Sequence, residues 1–516
     1  MKDKTKELFK KDGVYLALGF GLLLLNLAII SLKSINGSYT LQFPGNSLMA
    51  LICYLITIIL GILAIAFIRN FGRKKISIEK VYLIFAIPIG IMFCLANPLG
   101  RTPDEGNHAR KAMAMSNGNI FSHASENGKA EDYFAERQSK VVSGSIENYK
   151  DAYDRIVEPD NGDVVKKDYT TMALYSPICH LPQTVGIWIA KLVGGDVVLQ
   201  CYNARIMNML VSVLLIYEAI KIIPFKKHVL FCMAMIPMTF NEIGSMSSDA
   251  LTIAMSMLYV SYILHLRYDE SVTKLTKKHI TLLLIASMVV SLCKIVYIPL
   301  CLFLFMLPKE KFESKKQKYV VTGLIFGCAV VLNLIWLIYA SRFLIEFNGG
   351  VDSKGQVLFI LTHPISYLFI VLRTIINDFQ GYIIGICGIG LSMVSASASD
   401  IYVYAFAMIL TIMVFVNEED ETRVDLVSRI YALIIFIIIT GLIYTSLYVQ
   451  WTPLKFPVVM GVQARYFIPI LFLTTMIVDN RKLLFKPALS KRYILLFMIF
   501  FNLNALAGII SSYFNF

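Results

Sequence analysis

The residues best equipped for chemistry stand together in one segment, NPLGRTPDEGNHARKAMAMSNG, residues 97 to 118. Pro103 suits the first turn of a helix, where its fixed φ fits and its missing N–H is not needed. Asp104 and Glu105 then favour the positive N-terminal end of that helix. Asp104 and His108 lie at i and i+4 and share a face. Arg101 precedes the turn and Arg110 follows it. Such a set can take a proton from a hydroxyl, or bind a divalent cation (Mg or Mn) with Asp104 and His108 as ligands. The plainer reading is a capping carboxylate followed by an exposed, salt-bridging tail.

Further along, Lys294 interrupts the apolar run HITLLLIASMVVSLCKIVYIPLCLFLFMLP, beside Tyr297 and Pro299. An ammonium there costs about 2.5–3.5 kcal/mol on insertion scales, so it either snorkels to an interface or serves a function, such as holding a phosphate as a compact point charge. In GVQARYFIPI, Gln463, Arg465 and Tyr466 open a late apolar run, and Arg465 has no acid near it in sequence. In FNEIGSMSSDALT, Asn241, Glu242 and Asp249 surround a turn, where helix capping is the simpler role for Asp249. His363 and Arg373 flank a later segment, where an interfacial role is the ordinary one.

These residues need elements to position them, and the composition says what kind. Of 516 residues, 57% are hydrophobic and 16% charged, whereas soluble chains carry about 25% charged residues. The charges are concentrated between long apolar runs, which excludes a disordered chain, a nucleic-acid-binding domain and a disulfide scaffold. The pattern predicts an all-α polytopic membrane protein with about 11–14 transmembrane helices. Apolar runs cover approximately 14–32, 48–68, 81–97, 203–223, 228–243, 249–266, 280–293, 296–308, 319–340, 401–416, 429–447, 466–479 and 493–513. The first is too long for a signal-peptide core and lacks a cleavage site, so it should remain as a membrane helix. The nine cysteines show no CxxC spacing and read mostly as small core hydrophobes; a Cys179–Cys387 disulfide is a weak option.

Basic clusters at Lys2–Lys11, Arg69–Lys80, Lys221–Lys227, Arg267–Lys278, Lys309–Lys318 and Arg481–Arg492 all fall on one side when the spans alternate from a cytoplasmic N-terminus. Retained basic loops also account for the net charge of +13. The chain then divides into N-terminal membrane helices (1–97), a first large extracytoplasmic loop with interfacial helices (98–202), a central bundle (203–340), a second extracytoplasmic segment (341–400) and C-terminal membrane helices (401–516). The second segment, with THPISYLFIVLRTI, is either a further hairpin or a set of amphipathic helices lying on the outer surface. Residues 176–194, broken by Pro177 and Pro182, read as interfacial.

That topology puts Asp104, Glu105, His108, Lys294 and Arg465 on one face of the membrane. Carboxylates and cations there suit a substrate with a phosphate at headgroup level and a reacting hydroxyl nearby. No Gly-rich phosphate loop, GxSxG, HExxH or Cys₂His₂ spacing occurs.

PDEGNH with Arg110, YSPICHLPQ, ARIMN, SMSSDAL, CKIVYIPL, THPISYLF and GVQARYFIPI occur in this order over about Pro98 to Pro469. In these elements the chain resembles the bacterial polytopic family known as domain of unknown function 2142, and through it the GT-C class of membrane glycosyltransferases. The resemblance implies a sugar donor carried on a polyprenyl phosphate and an acid in the first large outer loop acting as general base, here Asp104 or Glu105. It makes Arg101, Lys294 and Arg465 candidates for the lipid phosphate and His108 an orienting group. Arg110, Tyr297, Gln463, Asp249 and His363 complete the expected substrate-binding set. GT-C enzymes occur both with and without metal, and many have one helix before the acidic loop, fewer than the runs at 14–32, 48–68 and 81–97 that precede it here.

The leading expectation is therefore a transferase in the bacterial plasma membrane, working on its extracytoplasmic face. It would move a sugar from the lipid carrier to a cell-wall polysaccharide or teichoic-acid-type acceptor. Two other classes compete: a non-catalytic lipid-carrier flippase or transporter, and a membrane-embedded hydrolase or phosphotransferase acting on polyprenyl lipids. A transporter should show charges deep in several spans and an internal repeat, and neither is evident.

Overall fold

In hydrocarbon every backbone N–H and C=O must be satisfied within the protein, and helices do this segment by segment. The computed structural model describes residues 59, 76–125, 128–143, 146–343, 349–392, 400–416, 422–479 and 491–513. The expected spans at 14–32 and 48–68 lie outside the described residues, apart from Ile59. The helices that build the site are α1 (Ile78–Ala96), α2 (Glu105–Ser116), α3 (Leu181–Leu192), α4 (Val197–Ile222), α5 (Pro237–Ile243), α6 (Asp249–Tyr268), α7 (Lys277–Cys293), α8 (Lys315–Ala340), α9 (Pro364–Ile386), α10 (Leu426–Gln450) and α11 (Lys491–Ser512). Six of them, α1, α6, α8, α9, α10 and α11, contain stretches long and apolar enough to cross a membrane. Named strands among the described residues are confined to one two-stranded sheet, where Glu131–Ala135 pairs antiparallel with Val164–Asp168.

At the centre, α4 packs against α1, α3 and α6. α6 is buried on nearly all sides, so its apolar residues circle the whole helix rather than forming a stripe. α3 crosses α4 at Gly186, where a Cβ would stand 2.3 Å from the Asn203 carbonyl oxygen; only glycine permits that approach. With 12 residues α3 is about 18 Å long, too short to span.

α8 and α10 behave differently. Both turn apolar residues outward, among them Leu334 and Ile338 on α8 and Ile434 and Ile437 on α10. In a membrane this is a lipid-facing surface.

Three expected spans are shorter or less regular than the apolar runs implied, and prolines explain each. The run at 228–243 is two helices, Lys227–Ala234 and α5, with Pro237 opening the second. The runs at 296–308 and 466–479 begin as 3₁₀ helices, Ile295–Met306 around Pro299 and Ala464–Ile470 around Pro469. α9 is long enough to cross, yet its contacts all lie at one end of the bundle. Tyr367 bonds Thr445 at 2.7 Å, Thr374 accepts from the Val459 N–H at 2.9 Å, and Gly385 abuts Ala464. Ile365, Leu368, Phe369, Leu372, Ile376 and Phe379 are exposed at helical spacing along it. α9 thus packs by one face and turns an apolar face away from the rest of the protein. Cys179 and Cys387 are free, and the Cys179 thiol donates to the Cys293 carbonyl oxygen at 2.9 Å.

Candidate active site

α2 starts with two carboxylates that meet opposite fates. Glu105 is fully buried against Arg205 of α4, accepting from Nε at 2.7 Å and from Nη2 at 2.6 Å. It also accepts from the Gly100 and Met246 N–H groups, both at 3.0 Å. Arg205 spends its remaining donors on the carbonyls of Cys94, Asn97 and Pro98. Gly100 is left-handed, φ 77°, and a Cβ there would stand 2.2 Å from the Val142 carbonyl oxygen, so this turn admits no side chain. Every oxygen and N–H of the pair is occupied. Glu105, expected as a possible base, is a structural pin between the α1–α2 turn, α4 and the turn before α6.

Asp104 also takes a left-handed backbone, φ 65°, a conformation that costs a non-glycine residue about 1–3 kcal/mol and persists where the surroundings enforce it. Although it is the N-cap residue of α2, its side chain makes no capping hydrogen bond. Its carboxylate instead bonds the Arg465 guanidinium. The side chain remains 44% exposed, while Arg465 is 6% exposed.

Arg465 projects from the 3₁₀ helix Ala464–Ile470 into a ring of acids. Glu242, in the last turn of α5, stands 3.4 Å from Nη1, and Asp249, the first residue of α6, stands 3.0 Å from Nε. Asp249 is shared, its other oxygen bonding the Lys294 ammonium. Lys294 sits at the break between α7 and Ile295–Met306 in extended backbone. Its ammonium also lies over the rings of Tyr466, at 4.7 Å, and Tyr175, at 5.6 Å. A continuous row therefore runs Asp104, Arg465, Asp249, Lys294. The Tyr297 hydroxyl donates to the Tyr466 carbonyl oxygen at 2.7 Å and fixes the Lys294 turn to the Arg465 turn.

The Lys294 end of the row opens into a cleft of about 230 Å³ between α8 and α10. Its walls are mainly apolar, with Trp336, Leu337 and Ala340 on one side and Ile443 and Leu447 on the other. Both wall helices carry exposed apolar residues on their outer faces, so the cleft opens between two apolar surfaces.

Behind Asp104, His108 Nδ1 and His180 Nε2 are 2.9 Å apart, one donating to the other. Burial pushes the His108 imidazole down to about 4 and holds His180 well below the ordinary histidine value. Both rings are therefore neutral near pH 7. The His108 ring meets the edge of Tyr175, which links it to the Lys294 end of the row.

Of the expected residues, Asp104, Asp249, Lys294, Tyr297 and Arg465 come together, with His108 adjoining them. Gln463 accepts the Tyr466 N–H through its carbonyl and so shapes the Arg465 turn. Arg101 bonds the Tyr513 hydroxyl at 3.4 Å, and Arg110 bonds Asn107 on its own helix. His363 is exposed at the start of α9, against Thr362 and Phe359, and is not part of the row. Arg205, Glu242, Tyr175 and His180 stood outside the expected site. For Arg205 the usable signal was a guanidinium inside an apolar run, the same reasoning that exposed Lys294. Among the described residues no group of three His, Cys, Asp or Glu side chains is placed to hold a metal. Asp104, Asp249 and Glu242 converge on a guanidinium, so the donor set does not fit a divalent cation.

The fold and the apolar surface define a polytopic α-helical membrane protein. Residues 87–474 match the family described as predicted membrane protein (DUF2142), and the chain belongs to that family. The match spans the whole charged row, from Asp104 to Arg465. No curated protein and no solved structure matches the chain.

Proposed function

We propose that the protein is a membrane glycosyltransferase of the GT-C type, moving a sugar from a polyprenyl-phosphate carrier to a cell-surface glycan or teichoic-acid-type acceptor. The observation that carries this reading is the apolar cleft between α8 and α10 ending at Lys294, with Arg465 next along the row across the shared Asp249. A prenyl chain suits the walls, and a phosphate suits the Lys294 ammonium at the end, within the row that continues to Arg465. Asp104, more exposed than the other acids of the row, would take the proton from the acceptor hydroxyl. The freed oxygen attacks the anomeric carbon as the carbon–oxygen bond to phosphate breaks, and the electron pair leaves on the phosphate. Lys294 and Arg465 are placed to stabilise that growing charge, the kind of fixed electrostatics that usually dominates such steps. Asp249 and Glu242 act as positioning residues that hold the cations in place.

The charge distribution supports an extracytoplasmic site in a bacterial plasma membrane. Arg267, Lys311 and Lys315 stand at the ends of α6 and α8 remote from the charged row, as the positive-inside rule requires of the cytoplasmic end. The test is release of undecaprenyl phosphate by detergent-purified protein from a panel of undecaprenyl-phosphate sugars, with cell-envelope glycan as acceptor. Release with one donor, dependent on acceptor and lost in Asp104→Asn, is the expected result. Release unaffected by Asp104→Asn, or none with any donor, would contradict the proposal.

A further inference from the structure

The row contains a contact that a transferase cannot keep through its cycle. A base bonded to an arginine is a poor base, and an arginine enclosed by carboxylates is a poor phosphate ligand. Asp104 and Arg465 hold each other in this state. Three observations mark Asp104 as the partner able to leave. It is 44% exposed, whereas Glu242 is fully buried and Asp249 is 8% exposed. It makes no capping bond at the start of α2, so no contact within its own helix holds the side chain in place. Its left-handed backbone is one that aspartate adopts more readily than most residues, so the side chain can leave without the chain having to move. Arg465 in turn has an unused donor, because its buried Nε faces Asp249 without forming a hydrogen bond.

Resting on the function proposed above, we infer that the donor phosphate takes the place of Asp104 on Arg465, and that Asp104 becomes available as base only when donor is bound. The contact works as an interlock. Without donor the base is neutralised by Arg465, so water in the open site meets no active carboxylate. With donor, the phosphate bridges Lys294 and Arg465, and the carboxylate is released beside the sugar. Binding is therefore ordered, donor before acceptor.

The experiment measures undecaprenyl phosphate binding to detergent-purified full-length protein, with no turnover required. Wild type, Asp104→Asn, Arg465→Gln and the double variant are compared. Asparagine tolerates the left-handed backbone, so Asp104→Asn keeps the fold. Competition predicts that Asp104→Asn binds about fivefold tighter or better, the scale of one partly exposed ion pair no longer to be broken. The gain must vanish when Arg465 is glutamine, either as equal affinities of the single and double variants or as loss of binding in both. Equal affinity of wild type and Asp104→Asn would overturn the inference, as would a gain that survives Arg465→Gln. Absence of binding in all four proteins would instead contradict the proposed function.

Discussion

Two buried arginines, Arg205 and Arg465, each face a carboxylate from the start of α2, and their surroundings could hardly differ more. Around Arg205 every donor and acceptor is matched, with Glu105 taking four hydrogen bonds and the guanidinium capping the carbonyls at the end of α1. Around Arg465 three acids share one cation, Nε lacks a hydrogen bond, and so does Glu242 Oε2. A saturated buried pair can only be broken at high cost and does nothing else. An unsaturated one costs stability that a purely structural role would not retain, and this one adjoins the apolar cleft between α8 and α10. On the proposed function, the adjacent residues Asp104 and Glu105 divide between chemistry and architecture.

The comparison can be broken by mutation. The largest effect should come from Arg205→Ala, which strands the Glu105 charge in the interior. Losing one partner of a buried pair costs about 3–5 kcal/mol, so little folded protein should survive detergent extraction, as size-exclusion chromatography would show. Asp104→Asn should lower turnover by about a thousandfold, in the range for a lost general base, while thermal unfolding stays near wild type. Lys294→Gln should reduce turnover by about a hundredfold and weaken undecaprenyl phosphate binding, read in the same release and binding assays.

The smallest effect concerns the histidines. His108 titrates near 4 when folded and at about 6.5 when unfolded, so between those values the unfolded chain binds a proton that the native protein does not. Stability should fall as the pH drops from 6.5 towards 4, and His108→Gln should flatten that slope in a thermal-shift series. A slope unchanged by the substitution would remove His108 as its source.

The membrane character was legible because hydrocarbon demands apolar runs, and α1, α6, α8, α10 and α11 lie within two to four residues of the runs at 81–97, 249–266, 319–340, 429–447 and 493–513. The 3₁₀ segments at 295–306 and 464–470 were not, since periodicity does not separate them from α-helix and only Pro299 and Pro469 hint at them. Asp104, Lys294 and Arg465 could be singled out because a charge beside an apolar run is expensive. Their mutual arrangement could not, because Arg465 reaches Asp104 across 361 residues of sequence. The division between Asp104 and Glu105 was equally hidden. It depends on Arg205, about two turns inside α4, and on two backbone amides that no sequence pattern marks.

The most direct measurement is thermal unfolding of wild type, Asp104→Asn and Glu105→Gln side by side, with and without undecaprenyl phosphate. Asp104→Asn should melt within a few degrees of wild type and gain at least as much from the lipid, whereas Glu105→Gln should melt at least about 4 °C lower. Glu105→Gln melting like wild type, with Asp104→Asn unfolding early or losing its response to lipid, would contradict the assignment of one carboxylate to structure and the other to chemistry.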